Sequence, residues 1–185
     1  MAGWALARYI FFGRRIVTFL VLSTMALPYF VVVIPQCVMV ARDFGLANTW
    51  FALIVPPLFT SLGVLLMRQA FIMMPDELFD AAPLDGTSEW KIFLFVALPI
   101  AQPTIAALSI ILFLASWNNY LWPLLINTQA DMMTRPVALV SLIGITDDSW
   151  GAIMAGAVTF TFPMLVLFVL LQRYFISGIT AGAIK

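Results

Sequence analysis

The 185-residue chain contains no histidine and a single cysteine, Cys37, and only 10% of its residues are charged. The lack of histidine removes the commonest general base and the commonest metal ligand. One cysteine excludes an internal disulfide and says nothing of redox compartment. Soluble globular domains carry roughly 25% charged residues, and a chain this short that is 63% hydrophobic has too little interior to hide its apolar side chains from water. The solvent that remains is lipid. A formal net charge of zero gives no basic field for nucleic acid and no acidic field for cations. The N-terminus places the apolar stretch Met1 to Ala7 before its arginines, the reverse of the order in a secretory signal.

Long uncharged runs are abundant. A helix rises about 1.5 Å per residue, so crossing the apolar core takes about 20 apolar residues. Four runs meet or approach that length, and they predict spans at about 16–41, 50–74, 99–120 and 149–172. Pro28 and Pro35 fall inside the first and should kink or end it. The run from Ile92 to Ala130 is too long for one span, yet its polar break at Trp117-Asn118-Asn119 leaves too little for two. Pro136 to Ile145 is half a span and is expected at the interface or in an outer loop. The expectation is therefore an all-α polytopic bundle, one membrane domain over 1–185, with four complete spans and the end of a preceding one.

Lysine and arginine orient it. Arg8, Arg14, Arg15, Arg68, Lys91, Arg173 and Lys185 fall on one side of these spans, Arg42 and Arg135 on the other. The excess assigns the first group, and both chain ends, to the cytoplasm. No charge lies in the core of a span, where a proton relay or voltage sensor needs one. That weighs against a secondary carrier or channel.

The cytoplasmic loop at about 75–98 holds five of the nine acidic residues: Asp76, Glu77, Asp80, Asp85 and Glu89. Pro75 suits a first helical position, with Asp76 and Glu77 favourable to the helix dipole. Asp85-Gly86 signals a turn. Thr87 or Ser88 then caps a second helix from Glu89 to Leu98. Such a helical elbow fits a partner's cleft, although a charge run of this kind is equally a solvated surface.

Asp80-Ala81-Ala82, Asp85-Gly86, Ile92-Phe93, Leu98-Pro99 and Pro103 resemble the EAA loop of bacterial ABC importer permeases. The segments GWALARYIFFGRR, FGLANTW (Phe44 to Trp50), SWNNYLWPLL (Ser116 to Leu125) and LLQRYFISGITAGAIK (Leu170 to Lys185) resemble the carbohydrate branch of that family, the maltose and glycerol-3-phosphate type, in order along the whole chain. The resemblance implies a type I importer permease in the bacterial inner membrane. Its partners would be a second permease chain, two ATP-binding subunits, an extracytoplasmic binding protein and membrane lipid. Asp80, Ala81, Ala82, Asp85, Gly86, Ile92, Leu98 and Pro99 would form the coupling surface for the ATPase.

Two departures from the family pattern stand out. Asp80 replaces the family's glutamate, and Pro83 stands where a helix former is usual, which should end the first short helix near Ala82. The family has six core spans, so the chain begins within what resembles the second. A fragment, a misplaced start and a remnant of a permease gene all fit that beginning.

Trp117, Asn118, Asn119, Tyr120 and Trp122 combine ring faces that stack on sugars with amides that bond hydroxyls, and so form a candidate substrate pathway. Interfacial belts use the same residue types. Gly151 with Ala155 and Ala152 with Gly156 place small residues four apart, favouring close helix packing. The ten methionines form no metal cluster and suit gap filling. No nucleophile–base–orienter set and no GxxxxGK phosphate loop occurs. The chain is expected to bind no cofactor and catalyse no reaction, with ATP and magnesium held by a partner subunit.

Overall fold

The computed structural model describes residues 1–80, 88–145 and 150–181. The described residues are helical and contain no strand: α1 (Ala2–Arg8), α2 (Arg14–Ala26), α3 (Tyr29–Val38), α4 (Trp50–Leu58), α5 (Ser61–Ile72), α6 (Glu77–Asp80), α7 (Glu89–Ile92), α8 (Leu98–Ile100), α9 (Gln102–Trp117), α10 (Leu121–Ile126), α11 (Arg135–Ile145) and α12 (Trp150–Ala181). This is the expected all-α transmembrane architecture.

Prolines and threonines set many of the boundaries. Pro28 is the N-cap of α3, and the residue before a proline is pushed out of the helical region, so α2 ends at Ala26. Pro35 is tolerated inside α3, which runs on through a π-helical turn at Met39–Asp43. Pro56 and Pro57 lie in the last turn of α4. The chain restarts at Thr60, whose hydroxyl accepts from the Gly63 amide at 3.1 Å and caps α5. Thr49 caps α4 in the same way, accepting from Ala52 N at 3.1 Å. Between α7 and α8 the helix widens into a π turn at Phe93–Ala97. Pro99 has no N–H for the Phe95 carbonyl, and its ring would crowd that carbonyl in a regular helix.

Among the described residues one helix alone is long and apolar enough to cross a membrane, at Trp150–Leu170, with mean hydropathy 2.3. Three helix pairs reach that standard only when taken together across a break: Arg14–Ala26 with Tyr29–Asp43, Trp50–Leu58 with Ser61–Ile72, and Glu89–Ile100 with Gln102–Trp117. The surface is rich in exposed large apolar side chains, Phe12, Ile10, Phe59 and Phe30 among them. That exterior suits hydrocarbon and would be a liability in water.

The chain forms two compact units. The first, residues 1–26, 60–110 and 174–185, has a core of Trp4, Phe71, Met74, Phe93, Ala97 and Ala101. Trp4 meets Phe71 edge-on at 5.1 Å and Phe79 at 5.4 Å. A Cβ on Gly3 would lie 2.8 Å from the Arg68 amide nitrogen and 2.9 Å from the Val64 carbonyl oxygen, so α1 rests directly on the backbone of α5.

The second unit, residues 27–59 and 111–173, is centred on Val33, Val40, Ala52, Trp122 and Ile126. Asn48, at φ 56°, ties its loop down. The Asn48 carboxamide oxygen accepts from the amides of Thr128 at 2.7 Å and Gln129 at 3.2 Å. Of the small-residue pairs in α12, Gly156 is closely approached, its missing Cβ lying 3.0 Å from Leu139 Cδ1, whereas Gly151 faces open space.

Candidate functional site

The candidate coupling loop belongs to the first unit, and α1 holds it. Arg8 forms an ion pair with Asp76 and donates to the Met74 carbonyl at 3.0 Å. Its guanidinium lies 3.8 Å from the centroid of the Phe79 ring. Tyr9 donates its phenol to the Glu89 carboxylate at 2.7 Å. That bond, and then burial, raises the Tyr9 pKa above its ordinary value, because ionising the phenol would destroy the bond and set two anions side by side. Arg14 donates to the carbonyls of Leu6 at 3.0 Å and Ala7 at 3.1 Å, satisfying the otherwise unpaired end of α1. Both ends of the loop are thus tied to one short N-terminal helix.

Within the loop, α6 starts at Glu77, two residues later than Pro75 would place it, and Phe79 N bonds to the Asp76 carbonyl at 2.8 Å. Asp80 is the last residue of α6. Ala81, Ala82, Pro83, Asp85, Gly86 and Thr87 lie outside the described residues. Ser88 occupies the N-cap of α7, but its side chain makes no capping bond. Its carbonyl accepts from Lys91 N at 2.9 Å and Ile92 N at 3.1 Å instead. The continuous helix expected from Glu89 to Leu98 is α7, the π turn and the start of α8 in succession. Ile92 is buried, Leu98 packs at the core's edge and Pro99 is exposed. Beside α7 a cavity of about 460 Å³ is lined by Trp4, Tyr9, Glu89, Trp90 and Phe93 among others, and Trp90 is 64% exposed at its rim.

The aromatic and amide segment belongs to the second unit, and its residues have different partners. Trp117 stacks with Phe113 at 5.5 Å and with Phe160 at 5.9 Å. Its indole N–H donates to the Phe160 carbonyl at 3.2 Å. Arg135, which donates to the Thr159 carbonyl at 3.1 Å, stands 5.8 Å above the same ring. Trp122 is a core residue, 2% exposed, with its N–H spent on the Ala52 carbonyl at 3.1 Å. Asn119 accepts from Trp122 N at 3.3 Å at the start of α10, and Tyr120 holds the N-cap position. Asn118 is exposed, and its amide donates back to the Leu114 carbonyl at 2.8 Å.

Sequence reasoning passed over Arg8, Tyr9, Phe79, Arg135 and Asn48. The arginines register there only as orientation charges. Arg8 and Asp76 are 68 residues apart, and no local signal pairs them.

The fold is that of an ABC importer permease. A solved bacterial ABC transporter involved in the import of the acidic polysaccharide alginate matches with a TM-score of 0.82 over 94% of this chain and 66% of that one, at 22% identity. Residues 1–181 match the family described as binding-protein-dependent transport system inner membrane component, and the chain belongs to that family.

Curated relatives include the arabinooligosaccharides transport system permease protein AraQ of Halalkalibacterium halodurans, 38% identical over 185 residues, which are all of this chain and 66% of that protein. The lactose transport system permease protein LacG of Rhizobium radiobacter is 33% identical over 185 residues, all of this chain and 67% of that protein. The sn-glycerol-3-phosphate transport system permease protein UgpE of Pectobacterium atrosepticum is 32% identical over 181 residues, 97% and 64% of the two chains. The chain spans about two thirds of the length of the curated relatives it matches.

Proposed function

We propose that this chain is a permease subunit of an ATP-driven importer and forms part of the translocation pathway for a sugar or a related polyol or sugar phosphate. The observation that carries the reading is the similarity of the whole chain to relatives named for transport of arabinooligosaccharides, lactose and sn-glycerol-3-phosphate. These substrates share hydroxyl-rich chemistry, which exposed amides such as Asn118 and amphipathic rings such as Tyr120 suit.

In this reading the importer comprises a second permease chain, two ATP-binding subunits and an extracytoplasmic binding protein. ATP and its magnesium bind the ATPases, and this chain performs no hydrolysis. Both of its ends are cytoplasmic, following the arginine and lysine bias. The loop around α6 and α7 docks on an ATPase through Asp80, Ala81, Ala82, Asp85 and Gly86. Ile92, Leu98 and Pro99 continue that loop into the membrane. The hold of Arg8 and Tyr9 on the two sides of the loop supports this reading, because an element bonded to the rest of its unit can pass a displacement on to it.

The test is co-purification of an ATP-binding subunit from the same operon with the tagged chain, together with uptake of radiolabelled lactose, arabinooligosaccharide and glycerol 3-phosphate by membranes holding all subunits. Retention of the ATPase and uptake of one of the three are expected. A chain that retains no ATPase and supports uptake of none of them would defeat the proposal.

A further inference from the structure

In the first unit, α2 lies alongside α5, where Thr24 and Ser61 share a hydrogen bond. Between the two helices is a cavity of about 350 Å³, lined by Arg14, Arg15, Thr18, Phe19, Leu22 and Arg68. Its polar lining residues are Arg14, Arg15, Arg68 and Thr18. Its apolar lining residues are Phe19 and Leu22, 67% and 49% exposed. Among the described residues Arg8 has an ion-pair partner, while Arg14, Arg15 and Arg68 have no carboxylate within reach. Arg14 is fixed in place by its bonds to the Leu6 and Ala7 carbonyls. The Arg68 Nε is buried without a hydrogen-bond partner among the described residues. Three arginines with no ion-pair partner among the described residues line one partly apolar cavity; like charges held near one another repel, and an anion placed there relieves that repulsion.

We infer that this cavity binds the phosphate of an anionic phospholipid, with the acyl chains lying along Phe19 and Leu22. Guanidinium forks match phosphate oxygens in geometry and charge. Basic pockets between membrane-embedded helices bind acidic head groups for this reason. A soluble phosphate would use the arginines equally well but leave the exposed phenyl and isobutyl wall without an occupant, and that wall decides for the lipid. The inference concerns a lipid site rather than the sugar pathway, so failure of either leaves the other standing.

The experiment reconstitutes the full chain in phosphatidylcholine bilayers doped with spin-labelled phosphatidylglycerol or spin-labelled phosphatidylcholine. The motionally restricted fraction of each is then read by electron paramagnetic resonance. Phosphatidylglycerol should be restricted in preference to phosphatidylcholine. Arg15→Gln should cut that preference about fivefold, while Arg15→Lys keeps most of it. Arg42→Gln removes the same charge outside the cavity and should leave the preference unchanged, which separates a site from bulk electrostatics and from misfolding. Equal restriction of the two lipids by the wild-type chain overturns the inference, and so does an equal loss in Arg42→Gln and Arg15→Gln. Displacement of the labelled lipid by excess inorganic phosphate overturns the lipid as occupant and assigns the cavity to a soluble anion.

Discussion

The Arg8 guanidinium sits 3.8 Å from the centroid of the Phe79 ring while the same group pairs with Asp76 and bonds the Met74 carbonyl. One side chain of the first helix therefore grips the entry to the candidate coupling loop in three ways. The three contacts differ in strength. The Asp76 side chain is 81% exposed, and exposed ion pairs contribute about 0–1 kcal/mol. The ring contact and the carbonyl bond are sheltered and carry more.

Arg8→Ala should therefore destabilise the loop by about 2 kcal/mol, and Asp76→Asn by under about 1 kcal/mol. Limited proteolysis between Glu77 and Glu89 measures this. Cleavage should quicken markedly in Arg8→Ala and little in Asp76→Asn. The reverse order would mean that the ion pair, not the stacking, holds the loop.

Gly3→Ala puts a methyl group against the backbone of α5, where Arg68 N and Val64 O stand at 2.8 and 2.9 Å. Backbone atoms cannot rotate away, so α1 must lift. The cost should be about 1–3 kcal/mol, visible as a lower melting temperature in detergent. Gly151→Ala, in open space, is the control and should be neutral or slightly stabilising. Equal melting temperatures for the two variants would show that α1 does not rest on α5 in this way.

Tyr9 offers a pH test. Its folded pKa is raised above the ordinary 10.0, chiefly by the bond to Glu89. A raised pKa means that the bond's stabilising effect is fully present below the unfolded value and is lost as pH rises through the folded one. The tyrosinate absorbance that disappears in Tyr9→Phe should titrate above pH 10, and Glu89→Gln should bring it back toward the ordinary range. No response to Glu89→Gln would remove the contact.

Stability and transport should separate in the aromatic segment. Trp117→Ala removes a half-buried ring stacked with Phe113 and with Phe160 and should cost about 2–4 kcal/mol. Asn118→Ala removes an exposed amide that, among the described residues, bonds its own helix at the Leu114 carbonyl and should change stability by less than about 0.5 kcal/mol. If Asn118 lines the pathway, its loss should raise the substrate concentration needed for half-maximal uptake while assembly is retained. Unchanged affinity and rate would make the segment an interfacial belt.

The coupling proposal is tested most directly at Asp80, Pro83 and Gly86. Asp80→Lys reverses the acid at the family's glutamate position, and Gly86→Pro restricts the backbone where the sequence Asp85-Gly86 signals a turn. Both should leave the chain in the membrane and abolish ATPase retention. Pro83→Ala should be neutral or strengthen retention. Normal retention and uptake in both of the first two variants would reduce the loop to a solvated elbow.

Class and family were legible in the sequence because both rest on local signals. Hydrophobic run length identifies a membrane helix without knowledge of its neighbours, and the Asp80-Ala81-Ala82 to Pro103 pattern carries the family in consecutive residues. Pro28, read in the sequence as a kink or end of the first span, is likewise the N-cap of α3, whereas the caps at Thr49 and Thr60 emerged only from the structure. The tertiary structure decided what each side chain does once helices meet. Arg8 and Asp76 stand 68 residues apart in the chain, and Trp122 and Ala52 stand 70 apart. Arg8 reads as an orientation charge until α1 lies on α5 and brings it to Phe79. Trp122 reads as a sugar platform until its indole is found turned inward on the Ala52 carbonyl. Gly3 carries no mark of its role, since close approach is a property of two backbones. Periodicity and composition report which surfaces are apolar, while the choice of partner for each surface depends on packing between segments distant in sequence.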